Sequence, residues 1–165
     1  MIYFTSDLHL DHANIIKYCN RPFADVHEMN ETIISRWNER VQPGDVVYLL
    51  GDFALTSRER MKELRHRLAG RIHIVRGNHD RGGTALAECG FDAVSKVLEL
   101  YDSGLDVDIY MRHIPDPDWR PKYSRSYHLH GHVHTQYRRQ GNRINVGVDQ
   151  WDFRPVTLEE LVYDR

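Results

Sequence analysis

The chain has 165 residues, 41% hydrophobic and 28% charged, and its 22 basic and 24 acidic side chains leave a net charge of -2. That length supports one compact domain over residues 1–165, and the near balance of charge excludes a global field that would gather nucleic acid or an anionic membrane. No apolar run approaches the roughly 20 residues that cross a bilayer, and the start lacks the basic and apolar stretch of a secretory signal, so a cytoplasmic address and no membrane partner are expected.

Ile2 to Thr5 is an apolar run that ends in Ser6-Asp7 and reads as a buried strand opening into a loop. Met29, Ile33, Trp37 and Val41 then recur at every fourth position and form one helical stripe. Pro43-Gly44-Asp45 returns the chain to a second strand, Val46 to Leu50, which runs into Gly51-Asp52. Thr56 with Glu59 has the spacing of a capping box for a helix carrying Met61, Leu64 and Leu68. Gly70 closes that helix, and the strand Ile72 to Val75 leads into Arg76-Gly77-Asn78-His79-Asp80.

After residue 90 the pattern changes. Val94 to Leu100 and Val107 to Met111 flank Asp102-Ser103-Gly104 as a hairpin. Pro115 to Pro121 is an irregular loop, and Tyr127 to Leu129 and Ile144 to Val148 are two further strands. Thr157 with Glu160 offers a capping box for a short last helix. The first half alternates strand and helix and the second is mostly antiparallel strand, an α/β class. Cys19 and Cys89 read as reduced thiols without assigned chemistry.

The residue type out of proportion is histidine, present 11 times. Asp7 and His9 are two apart, as are His132 and His134, so in extended backbone each pair projects to one side and could chelate a metal ion. Taken alone, a strand-end aspartate is usually a turn former and a strand-end histidine a surface residue. Yet Asp7, His9, Asp52, Asn78, His79, His132 and His134 all fall at strand ends or tight turns, where ligands of open α/β sheets collect. Mixed oxygen and nitrogen donors without cysteine suit Mn, Fe, Ni, Co or Zn rather than Ca or Mg. A pair of such ions needs a carboxylate that bridges them, and Asp52 is the natural bridge.

The ordered series Asp7-Leu8-His9, Gly51-Asp52, Gly77-Asn78-His79-Asp80, His113 and Gly131-His132-Val133-His134 resembles the motifs of the calcineurin-like metallophosphoesterases. The text around Asn14 to Phe23 and Asn145 to Asp149 is similar to the small single-domain bacterial and phage members. The resemblance implies a four-layer α/β/β/α sandwich of two mixed sheets flanked by helices. It implies one divalent ion, manganese foremost, held by Asp7, His9, Asp52 and His134, and a second by Asp52, Asn78, His113 and His132. A hydroxide shared by the ions is then expected to attack phosphorus in line, with His79 as general acid and Asp80 orienting it. Gly51, Gly77 and Gly131 permit tight turns and close backbone approach. Many members carry an acidic or amide residue soon after the second motif, whereas Phe53-Ala54-Leu55 stands here.

The expected activity is a phosphodiesterase on a small phosphoester or nucleotide, with short nucleic acid as a possible substrate and a phosphomonoesterase as the alternative. His12, Asn14, Arg21 and Arg81 lie near the motifs and are candidates for contact with phosphate or leaving group. Asp7-Leu8-His9-Leu10-Asp11-His12 also stands one residue from the metallo-β-lactamase signature, which leaves Gly-Asn-His-Asp and Gly-His-Val-His unexplained. A reading of another class is a nucleic-acid-binding module, in which Arg120, Lys122, Arg125, Arg138, Arg139 and Arg143 interleave with Trp119, Tyr123, Tyr127 and Tyr137.

Overall fold

The computed structural model describes residues 1–163. In chain order the elements are β1 Ile2–Thr5, α1 Ala13–Tyr18, α2 Val26–Arg40, β2 Val46–Leu49, α3 Arg58–His66, β3 Arg71–Val75, α4 Gly83–Glu88, β4 Ala93–Ser95, β5 Leu98–Asp102, β6 Val107–Met111, β7 Ser126–His130, β8 Arg139–Gln140, β9 Arg143–Asn145, β10 Val156–Thr157 and α5 Leu158–Tyr163. One sheet runs β10-β1-β2-β3-β4 and the other β5-β6-β7-β9-β8. These are the two mixed sheets with flanking helices that the motifs imply. No described helix is long and apolar enough to cross a membrane.

Alternation along the central strands builds two cores. Tyr3, Val47, Leu49, Ile72 and Ile74 face the helices and pack with Met29, Ile33, Trp37, Met61, Leu64 and Leu86. Phe4, Tyr48, Leu50 and Val75 face the other way and meet Ile109, Met111, Leu129 and Ile144 of the second sheet. The fourfold stripe of α2 is therefore a core seam, started by Asp25, whose side chain accepts from the Glu28 amide.

Several expectations are corrected. The run Val94 to Leu100 is two strands in different sheets: β4 pairs parallel with β3 and β5 antiparallel with β6, with exposed Lys96 and Val97 crossing between them. Both halves are apolar because both are sheet residues, so hydropathy hides the break. The second half is not mostly antiparallel, since β6 with β7 and β7 with β9 are parallel. The long segments between these strands carry the chain back to the same end before each new strand begins. Capping of α3 falls on Ser57, whose side chain accepts from the Arg60 amide, one residue after Thr56. The strand from Ile144 ends at Asn145, because its side chain accepts from the Gly147 amide and turns the chain into a 3-10 turn at Val148–Gln150. The Thr157 and Glu160 box closes in both directions, at 2.8 and 3.3 Å.

In both sheets the parallel strands deliver their carboxyl ends to one rim: β1, β2 and β3 from the first, β6 and β7 from the second. Trp37 anchors the helical side of this frame, fully buried with its indole nitrogen donating to the Ala69 carbonyl at 3.0 Å. Trp37→Ala is expected to cost about 3–5 kcal/mol, read as a lower denaturant midpoint at unchanged slope.

Candidate metal centre

The loop after β1 is laid on the loop after β2 by backbone bonds from Asp7 to Gly51, His9 to Asp52 and Leu10 to Phe53, each 3.0 Å. Phe53 and Ala54, where an acidic or amide residue was a possibility, are buried and serve this pairing with backbone and apolar surface. Gly51 lies at φ 88, and a Cβ there would come within 2.5 Å of the Gly77 nitrogen and 2.7 Å of His113 Nδ1. At Gly131 a Cβ would collide with Ser6 Oγ and Asp7 Oδ2. Absent side chains at these points let five loops converge.

The Asp7/His9 and His132/His134 pairs are not extended alternations. Asp7, His9, Asp52, His132 and His134 sit at φ 59, 51, 54, 71 and 45, the left-handed region. Non-glycine residues held there cost of order 1 kcal/mol or more each, and such strain gathers where a site demands a particular aim.

The side chains meet at distances that suit shared cations. Asp52 Oδ2 lies 3.5 Å from His9 Nε2 and 3.3 Å from His113 Nε2. Asp7 Oδ1 lies 4.0 Å from His9 Nε2 and 3.9 Å from His134 Nε2. Asn78 Oδ1 accepts from His113 Nε2 at 3.0 Å. The His132 ring packs edge-on to His113 with centroids 5.4 Å apart, and its amide donates to both oxygens of Asp7 at 3.1 and 3.0 Å. Asp7, His9 and His134, and separately Asp7, Asp52 and His113, form groups able to hold an ion.

Divalent ions fit this donor set. His9 Nε2 is buried without a hydrogen-bond partner and faces the carboxylate oxygens of Asp52 and Asp7. Burial pushes the His9 ring down to about 3, so it is a neutral donor. Burial raises Asp7, while Asp52 is held at about 2 because the His113 hydrogen bond and charge outweigh its desolvation. Against their own burial, His113 is held up at about 9 by Asp52 and Asp7, and His134 at about 10 by hydrogen bonds to Asp149 and Cys19 and the charge of Asp7. Positive charge belongs between these carboxylates.

A second ring of contacts aims the ligands. His113 Nδ1 donates to the Leu50 carbonyl at 2.6 Å, leaving Nε2 for the centre. His134 Nδ1 donates to Asp149 Oδ2 at 3.0 Å with the same effect. Arg21 grips Asp149 with Nε and Nη2 at 2.8 and 3.0 Å, and donates to the carbonyls of Asp7 and Leu8 at 2.7 and 2.9 Å. Arg21 is thus 4% exposed and fully committed, so the expectation that it contacts substrate is replaced by a strut role. Asp149 was not among the expected site residues; its sequence signals are its place just beyond a strand end and within the Asn145 to Asp149 segment that carries the resemblance. Cys19 also gains a context, since its sulfur lies within 4.8 Å of donor atoms of His134 and Asp149.

Asp80 departs from its expected role. Its carboxylate accepts from the amides of Asp52, Phe53 and Gly77 at 2.9, 3.0 and 2.7 Å, and no hydrogen bond to the His79 ring occurs among the described residues. It pins two ligand loops together. His79 is exposed, with its amide donating to Asp52 Oδ1 at 3.0 Å and its ring edge-on to His9 at 5.5 Å. It lines a cavity of about 420 Å³ with His9, His12, Tyr18 and His134. His12 stands in that cavity, its Nδ1 3.3 Å from His9 Nδ1. Asn14 is exposed on α1 and is not among the residues that line the cavity, and Arg81 donates to the Thr56 carbonyl at 2.8 Å.

The basic and aromatic stripe of the nucleic-acid-binding alternative is tied into the fold. Arg143 donates to the carbonyls of Asp116, Pro117 and Trp119 and covers the Trp119 ring, while Arg125 binds the carbonyls of Asp106 and Leu105. Arg138 lies over Trp151, Arg139 over Tyr127, and Lys122 is 3.7 Å from Glu99.

Residues 1–149 match the family model of the calcineurin-like phosphoesterase superfamily domain. The chain is 36% identical over 170 residues to an uncharacterized protein of Methanocaldococcus jannaschii, covering 98% of this chain and 89% of that one. It is 30% identical to the gene 66 protein of Mycobacterium phage L5, covering 98% and 92%. A crystal structure of a protein of unknown function from Aquifex aeolicus is similar with a TM-score of 0.76 and 27% identity over 97% of this chain and 96% of that one.

Two outcomes test the centre. His113 and His134 carry protons at neutral pH in metal-free protein and must lose them to bind through Nε2, so the loaded state binds fewer protons and affinity rises with pH. Calorimetric titrations in two buffers of different ionisation enthalpy at about pH 7 should show proton release on manganese binding; no release, or a pH-independent affinity, contradicts the assignment. Asp149→Asn frees the His134 ring and leaves the buried Arg21 guanidinium without its carboxylate, so metal affinity should fall about 10- to 100-fold and the metal-free protein should also melt at a lower temperature.

Proposed function

The chain belongs to the calcineurin-like phosphoesterase superfamily, and from that premise we propose that it hydrolyses nucleotide-type phosphodiesters at a centre of two divalent transition-metal ions, manganese foremost, with iron, nickel, zinc or cobalt able to serve. The observation that carries this reading is Asp52 Oδ2, set 3.5 and 3.3 Å from the Nε2 atoms of His9 and His113, so that one carboxylate oxygen serves two neighbouring sites. Asp7, His9, Asp52 and His134 would hold one ion, and Asp52, Asn78, His113 and His132 the other. When bound, such a pair supplies an acidified water as nucleophile and positive charge for the phosphoryl oxygens.

The chain's own groups do the rest. Asn78, exposed at the rim, presents its amide to a phosphoryl oxygen and steadies charge as it builds. His79 delivers a proton to the departing oxygen from the cavity it shares with His12 and Tyr18. Asp80 keeps Asn78 and His79 at the correct height by fixing the Gly77 amide to the Asp52 loop. A diester reading is favoured over a monoester one because cavities of about 420 and 240 Å³ adjoin the centre, one at His9 and His134 and one at Asn78 and His113. A diester has two substituents to place; a monoester has one.

Metal-stripped protein reloaded with Mn, Ni, Fe or Zn should hydrolyse bis-nitrophenyl phosphate at least about tenfold faster than nitrophenyl phosphate; the reverse ranking with every metal refutes the diesterase reading. His79→Ala should lose about 10²- to 10⁴-fold on an alkoxide leaving group and far less on nitrophenolate, which departs without a proton. Equal losses on both would remove His79 from the acid role.

A further inference from the structure

Resting on the diester reading, we infer that the groove beyond Asn78 and His113 receives a second phosphate, carried on the part of the substrate that keeps the scissile phosphorus. The groove holds about 240 Å³ and is lined by Arg76, Asn78, Lys96, Arg112 and His113. Its three cations arrive from three separate places. Arg76 follows β3, Lys96 lies in the crossing from β4 to β5, and Arg112 follows β6. The bond from the Arg76 amide to the Ser95 carbonyl, 2.8 Å, holds the first two segments together.

These charges are poorly spent inside the fold. Among the described residues no carboxylate lies within ion-pair distance of Arg76 or Lys96, and Arg112, its side chain 43% exposed, pairs with Asp116 at 3.2 Å and hydrogen-bonds Tyr110. No carboxylate lines the groove. Arg76 Nε is buried without an acceptor, as is Arg65 Nε, and among the described residues no ion pair or side-chain hydrogen bond ties the Arg76 guanidinium. Two guanidinium forks and an ammonium around an acid-free groove match a phosphate rather than a carboxylate-poor sugar or a bare base.

Direction follows from His79. The acid stands in the other cavity, with His12, Tyr18 and Ile15, so the leaving group departs there. What remains on phosphorus then points toward Asn78 and the cations. The substrate class is a nucleotide or oligonucleotide in which the retained nucleoside bears a further phosphate, in preference to a lone diester.

The probes are thymidine 5′-nitrophenyl phosphate and the same ester with an added 3′-phosphate, with thymidine 5′-phosphate and thymidine 3′,5′-bisphosphate as binding partners to protein loaded with manganese. The added phosphate should raise kcat/KM about tenfold, mostly through KM, and the bisphosphate should bind about tenfold tighter than the monophosphate. Both advantages should shrink as salt rises from about 50 to about 300 mM. In Lys96→Gln/Arg112→Gln, and in the single Lys96→Glu, the ratios between paired ligands should fall toward one. Equal losses on both members of a pair would mean that the cations hold the scissile phosphate itself, and would overturn the proposal. So would ratios near one in the wild-type chain. Absence of turnover with a bisphosphate preference intact would remove the diesterase reading and leave the groove standing.

Discussion

Two carboxylates that share a water-poor pocket are the constraint on which the rest of this structure depends. Asp7 is fully buried and Asp52 is 2% exposed, and their oxygens are separated by histidine nitrogens only 3.3 to 4.0 Å from one or the other. Charge of that density without counter-charge is among the costliest arrangements a fold can contain. The fold answers it with the raised pKa values of His113 and His134, which place positive charge beside the aspartates. The same demand for positive charge is what makes this pocket a candidate for divalent ions.

Such an arrangement persists only if the loops have nowhere else to go. The loops after β1, β2 and β3 are therefore fastened twice, once by their strands and once by a side chain from another part of the chain. Asp80 ties the β3 loop to the β2 loop, and Arg21 ties the β1 loop to Asp149 and so to the last quarter of the sequence. The two sheets, joined by Phe4, Tyr48 and Leu50 against Ile109, Met111 and Leu129, give those fastenings a rigid base. Left-handed backbone at Asp7, His9, Asp52, His132 and His134 is the residual strain, and the inter-sheet core offsets it.

Much of this could be read from the residues alone, but unevenly. The strand ends, the helix stripe on Met29, Ile33 and Trp37, and the gathering of Asp7, His9, Asp52 and Asn78 were legible because hydropathy period and residue type are local signals. What was not legible depends on contacts between distant segments. Spacing by two implied extended alternation at Asp7 and His9, whereas the true aim comes from left-handed kinks that only the neighbouring loop enforces. Val94 to Leu100 hid a change of sheet because both parts are equally apolar. Arg21 looked like a phosphate contact and is a strut, since its partners are 128 residues away at Asp149. Sequence proximity to a motif says which loop a side chain leaves, not which way it points.

The crossing at Lys96 and Val97 joins these observations. A chain that passed smoothly from β3 through one long strand would place nothing beside Asn78. Because it instead leaves the first sheet after Ser95 and enters the second at Leu98, it carries an exposed lysine past the carboxyl end of β3, next to Arg76. Arg112, leaving β6 on the facing sheet, completes a basic wall immediately beside Asn78 and His113. The opposite flank, with Tyr18, Ile15 and His79, carries aromatic and imidazole rings but no lysine or arginine. The pocket of Asp7 and Asp52 is thus bordered by unlike walls, and under the proposed diester reading that asymmetry would decide which substituent of the substrate lies on which side.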